Sequence, residues 1–271
     1  MRLRRLPSRP LPLAAVAAAL AAPAAALPVT IPAFDNGQYT QFGVHNAADP
    51  AVFAGWFATT GVDYRAAFGF DLSSYVGWTA TAATIQFAAG NGYFRPYGGS
   101  ETLQFWDVGV SNADLFADRP SPSSAGAAIF ADLGSGTTYG SVALFGSATV
   151  AMPAFGFNFA TGNGGAGLFA INAALAGDGA FRVGAAVSSL IRSGGASEGF
   201  WSGSGGVPVA ASLALELTPP AAVPLPAAGT VLALALAALP ATRARRLLGG
   251  LLRRLSARLR AADGARRPSP A

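Results

Sequence analysis

The chain has 271 residues, no cysteine, no lysine and a formal charge of +5 that is unevenly spread. Four arginines precede Leu27, the stretch from Leu27 to Thr218 holds five arginines against twelve acids, and nine arginines follow Thr242 with only Asp263 to oppose them. The middle of the chain is therefore acidic, which excludes reading the high pI as a nucleic-acid-binding face, and the lack of cysteine excludes disulfide staples and thiolate metal sites.

At the front, Arg2, Arg4, Arg5 and Arg9 lead into an apolar run from Leu11 to Leu20. Ala24 and Ala26 then supply the small-x-small pattern that a signal peptidase accepts. Residues 1–26 read as a signal peptide for general secretion, with signal peptidase cutting before Leu27. The apolar run is short and broken by Pro12, which argues against a permanent anchor.

Residues 27–221 read as one all-β extracellular domain, large enough to bury roughly two-thirds of the surface of its unfolded chain. Asn36-Gly37 predicts a turn. Tyr64, Ala66, Phe68, Phe70 and Leu72 alternate with Arg65, Ala67, Gly69 and Asp71, which predicts a strand with one apolar and one polar face. Ile85 and Phe87 continue the period of two. Near Leu103–Val110 the phase slips between Phe105 and Trp106, as a β-bulge would produce. Pro120–Ser124 reads as a loop. Further strands are predicted around Phe155, Phe157 and Phe159, around Phe181, Val183 and Val187, and around Val209, Leu213, Leu215 and Leu217. Turns are predicted at Asn91-Gly92, Gly98-Gly99, Asp178-Gly179, Gly194-Gly195 and Gly205-Gly206. The one helical candidate, Gly165–Ala176, places Leu168, Ile171 and Leu175 on one side, with Asn163 as its cap and Gly177 past its end. Such a helix is suited to covering an open edge of a β-sandwich.

Beyond the domain, Val223, Pro224, Leu225, Pro226 and Ala227 open an apolar stretch that ends at Ala241, followed by Arg243, Arg245 and Arg246. As a helix, residues 223–241 would span about 28 Å, close to the roughly 30 Å of bilayer hydrocarbon. Residues 222–246 thus predict a C-terminal transmembrane helix whose arginines stay on the cytosolic side. In residues 247–271, Leu247, Leu248, Leu251, Leu252, Leu255 and Leu259 recur at helical spacing among Arg253, Arg254, Arg258 and Arg260, a basic amphipathic pattern suited to an anionic inner leaflet.

The Val-Pro-Leu-Pro-Ala start, apolar span and arginine cluster resemble the VPLPA variant of the PEP-CTERM sorting signal. The resemblance implies recognition by an exosortase-like membrane enzyme and cleavage near Pro224–Ala227. It also implies transient anchoring in the inner membrane, delivery to the cell surface or extracellular matrix, and association with exopolysaccharide. The chain departs from the family pattern by continuing past the arginines. Tyr64–Ser73, Ala83–Ile85 and Phe130–Gly140 are also similar to strand segments of PEP-CTERM ectodomains. That likeness implies a jelly-roll-like β-sandwich, shaped like carbohydrate-binding modules, with no activity to carry over.

Chemistry is sparse in the domain. His45, with Asp49 four residues on, lacks a second histidine or cysteine and reads as structural. Asp63, Asp71, Glu101 and Asp107 could in principle pair for glycoside hydrolysis. Asp35, Asp49 and Asp63 could offer oxygens to calcium, but no spaced calcium loop is present. Trp56, Trp78, Trp106 and Trp201 could stack on sugars or fill the core. Gly162–Gly167 lacks the Lys-Ser/Thr ending of a phosphate loop and reads as turns. No catalytic, cofactor or metal residue is assigned, no cofactor is expected, and the reading is a non-enzymatic surface protein.

Overall fold

A computed structural model describes residues 25–220 other than 50, 89–91, 96–98, 146–149, 152–153, 193–194 and 203–210. Ala24, Val209, Gly205-Gly206, the stretch 222–246 and the tail 247–271 lie outside the described residues. The described residues form two antiparallel sheets. The smaller runs in the order β1 (Leu27–Pro32), β13 (Ala211–Thr218), β5 (Thr79–Phe87) and β10 (Phe155–Asn158). The larger runs β8 (Thr138–Phe145), β7 (Ser100–Trp106), β11 (Ala180–Val187), β4 (Val62–Asp71), β3 (Val52–Phe57), β12 (Glu198–Ser202), β6 (Gly92–Arg95) and β9 (Val150–Ala151). A further strand, β2 (Asp35–Thr40), also pairs with β4.

The period of two explains why the sheets face each other. In β13, Leu213, Leu215 and Leu217 are buried while Ser212, Ala214 and Glu216 are not, and Ala80, Ala83, Ile85 and Phe87 of β5 join them in one core with Phe68, Phe70, Phe105 and Val183 of the larger sheet. Phe87 meets Phe68 and Phe200 edge-on, each at 5.3 Å, and Phe157 stacks on Phe105 at 4.9 Å. Each fully buried phenylalanine contributes about 1.5–3 kcal/mol relative to exposure. The bulge anticipated beside Trp106 is present: Phe105 lies opposite Gly140 and Trp106 opposite Thr138, so Tyr139 is the extra residue of β8.

The wet outer face expected for β4 is observed only toward its ends, where Arg65 is half-buried and Asp71 exposed. Ala67 is buried in a second, smaller core with Tyr39, Val108, Leu115, Ile129 and Leu133, and Gly69 lies under the edge-on pair Phe34 and Phe116. Two helices that the sequence reading did not anticipate build this cover. A single turn, α1 (Asn112–Leu115), is capped by the Ser111 side chain accepting from the Asp114 N–H. In α2 (Ser124–Asp132), Ser123 accepts from Gly126 N–H. The loop predicted at Pro120–Ser124 therefore ends at Ser123, and Phe130–Asp132 is helical where the likeness to strand segments implied a strand. The expectation of one short helix is corrected accordingly. The Tyr39 hydroxyl ties the cover down by donating to the Leu115 carbonyl at 2.8 Å.

Asn36-Gly37 is not a turn but the middle of β2. Tertiary packing selects glycine there: a Cβ at Gly37 would lie 2.5 Å from His45 Cε1. At Asp178-Gly179 the predicted turn is present, with Gly179 at φ 79° just before β11.

The predicted helix is α3 (Ala166–Ala176), with Ile171 and Leu175 buried. Asn163 does not cap it: Gly165 holds the N-cap position with no side-chain bond, and the Asn163 amide instead donates to the Thr138 carbonyl at 2.7 Å. The helix covers the part of β5 that the shorter β10 leaves unpaired. Strand β10 pairs with Thr84–Phe87, and at Ala80 the Asn172 side chain replaces a strand, accepting the Ala80 N–H at 2.8 Å and donating to the Ala80 carbonyl at 3.0 Å. Among the described residues no helix is long and apolar enough to cross a membrane.

Candidate binding groove

The bulge in β8 and the start of α3 border a groove of about 730 Å³. That volume lies within the range of small-ligand sites, about 300–1,000 Å³. One wall is the small-residue side of α3, formed by Ala166, Ala170, Ala173 and Ala174, with Phe169 on the rim. Phe169 is 77% exposed although the facing side of the same helix is buried in the core. The opposite wall comes from β8, β11 and the segment after β7, and contributes Tyr139, Phe181, Arg182 and Asp107. Asn163 closes one end in a left-handed conformation, φ 39°.

Asp107 and Arg182 are each held by one side-chain hydrogen bond among the described residues. Asp107 accepts the Thr137 N–H through Oδ1 at 2.7 Å, which leaves Oδ2 without a partner among the described residues. Arg182 donates through Nε to Asn112 Oδ1 at 2.7 Å, which fixes the guanidinium and leaves its two terminal nitrogens uncommitted among those residues. Tyr139 is 3% exposed. Its ring packs edge-on to Phe159 and stacks against Phe181, and its hydroxyl finds no hydrogen-bond partner among the described residues. Burial, reinforced by the Asp107 carboxylate, pushes the Tyr139 phenol well above its ordinary value, so it is a neutral donor at any physiological pH.

Of the carboxylates, histidine and tryptophans weighed for chemistry in the sequence, Asp107 alone lines this groove. His45 is 2% exposed, stacks on Tyr39 at 4.7 Å, and has Nδ1 at 2.9 Å from the Gln38 carbonyl. In the neutral ring that nitrogen carries the proton, since a carbonyl only accepts. His45 is thus a packing residue that fills the space over Gly37. Asp49 accepts from Gln38 and from the Ala51 N–H, and Asp35 accepts the neighbouring Asn36 N–H. Among the described residues no group of three or more acids or histidines is placed to hold a metal.

The four carboxylates considered for hydrolysis serve separate tasks. Asp63 holds Arg192 through two bonds at 3.0 and 2.8 Å, an ion pair that raises the arginine's proton affinity further. Asp71 accepts from Ser73, whose hydrogen bonds hold its carboxyl below the usual range. Glu101 is buried and bonded to the Ser189 hydroxyl. Only Asp107 faces the groove. The four tryptophans are each half-buried: Trp201 stacks on Phe53 at 4.0 Å, Trp78 packs edge-on to Tyr75, and Trp106 lines a separate cavity of about 140 Å³ beside Asp63 and Arg192.

Sequence reasoning missed Tyr139, Asn163, Phe169 and Arg182 as neighbours. One signal was available: Phe169 is a large aromatic off the apolar stripe of its helix, where solubility alone favours a polar residue. No protein-family profile matches the chain, and no curated protein matches it in sequence.

Proposed function

We propose that this is an exported cell-surface or extracellular-matrix protein, trimmed by signal peptidase before Leu27 and by an exosortase-like enzyme near Pro224–Ala227. In this reading it is held briefly in the inner membrane by a helix over residues 223–241, and its jelly-roll-like body then acts without catalysis in association with exopolysaccharide. The observation that carries the reading is the position of the domain's first and last strands. β1 starts at Leu27, the residue after the predicted cut, and pairs with β13 from Leu27 opposite Leu217 to Pro32 opposite Ser212. β13 ends at Thr218, just short of the sorting motif. Removal of both flanks would therefore leave every described strand of the sandwich intact, whereas a cut a few residues further in at either end would shorten β1 or β13. The separate structural tasks of Asp63, Asp71 and Glu101 support a binding role over a hydrolytic one.

Mass spectrometry of the protein recovered from the producing cells tests the reading. The expected product starts at Leu27 and ends within or next to Pro224–Ala227. A cell-surface or secreted product that still contains residues 232–271 refutes the processing claim.

A further inference from the structure

We infer that the groove between α3 and β8 is a saccharide-binding site for a neutral glycan, with Phe169 as the stacking platform and Asp107, Arg182, Asn163 and Tyr139 as the hydroxyl-binding groups. The inference deepens the exopolysaccharide reading above, and assigns to this groove the sugar contact first considered for the tryptophans.

Three observations carry it. First, the Tyr139 side chain is held in the core with 3% of its surface exposed, the tyrosine lines the groove, and its hydroxyl is not among the polar atoms sealed from solvent without a partner. No protein group engages that hydroxyl among the described residues, so a ligand oxygen entering the groove can take the place of water on it. Second, the free valences are mixed. Asp107 Oδ2 and Asn163 Oδ1 accept, while the terminal nitrogens of Arg182 and the Tyr139 phenol donate. A sugar hydroxyl is donor and acceptor at once, so vicinal hydroxyls satisfy both kinds together. One carboxylate and one guanidinium leave the groove with no excess of either charge, which disfavours a phosphate or a polyanion. Third, the rim carries a phenyl ring 77% in solvent beside alanine and glycine positions that leave its face open. The C–H face of a pyranose stacks on such a ring, and the small residues let the sugar approach the helix closely. An apolar ligand would use Phe169 but would strand the charged pair.

The test is isothermal titration of the full chain, kept in mild detergent, with laminarihexaose, cellohexaose, xylohexaose and polygalacturonate. Binding to at least one neutral hexasaccharide is expected. Phe169→Ala and Asp107→Asn should each weaken it about tenfold, a change of about 1.4 kcal/mol. Asp107→Asn keeps the acceptor for the Thr137 N–H and so spares the loop. Tyr139→Phe should weaken binding several-fold without lowering the melting temperature, because the hydroxyl it removes has no protein partner. Phe145→Ala is the control, since Phe145 is also 77% exposed but does not line the groove. Failure to bind any neutral saccharide overturns the inference, as does binding to polygalacturonate alone. Binding that survives both Phe169→Ala and Asp107→Asn overturns the assignment of the site. None of these results depends on where the protein is delivered or cut, so a negative outcome leaves the processing proposal to its own test.

Discussion

Replacing Asn172 by leucine should unpick the junction between α3 and the smaller sheet. The side chain meets both backbone groups of Ala80, at 2.8 and 3.0 Å, and Ala80 is 3% exposed, so water cannot take its place without opening the core. An unmet buried N–H or carbonyl costs about 1–3 kcal/mol. Leucine returns about 0.5 kcal/mol through better helix propensity. With both Ala80 groups unmet, the net loss is about 1.5–5.5 kcal/mol, which for a domain of this size lowers the melting temperature by roughly 3–20 °C. Urea and thermal unfolding of the full chain, followed by circular dichroism, measure it. Asn172→Asp sharpens the test, because a carboxylate still accepts the Ala80 N–H but faces the Ala80 carbonyl with like charge. That variant should be more impaired at pH 7 than near pH 4, where a protonated carboxyl can donate to the carbonyl. A loss below about 0.5 kcal/mol for Asn172→Leu would mean that the edge of β5 is satisfied some other way, and the account of α3 as a substitute strand would fall.

Gly37→Ala should destabilise by about 1–3 kcal/mol, the usual cost of overpacking, because the new methyl meets the His45 ring; the same melts check it, and a neutral result would show that the ring is free to move. Alkaline pH should erode stability through Tyr139. Burial raises its folded-state pKa above the ordinary phenol value, so the phenol's contribution is intact below about pH 10 and falls above it, by up to about 1.4 kcal/mol per pH unit while only the unfolded chain ionises. Urea midpoints at pH 9 and pH 11 should diverge less for Tyr139→Phe than for the parent, and equal slopes would refute the burial argument.

The sequence alone was sufficient for several elements whose pattern repeats over near neighbours. Alternation in Tyr64–Leu72 and Leu213–Leu217, the slip beside Trp106, and the stripe of Leu168, Ile171 and Leu175 each reflect a local periodicity that must match the pleat or the helix turn whatever lies opposite. Tertiary structure decided what covers each face. Ala67 and Gly69 look like the outward side of a half-wet strand until α1 and α2 arrive from more than forty residues away, counted from Gly69 to Asn112. Asn36-Gly37 has the composition of a turn, yet the His45 ring makes glycine necessary inside a strand. The groove is the extreme case: Asp107, Tyr139, Asn163, Phe169 and Arg182 come from four separate segments, and no spacing rule links them. Burial, clash and unmet hydrogen bonds are properties of surfaces brought together, and the chain's order does not contain them until it folds.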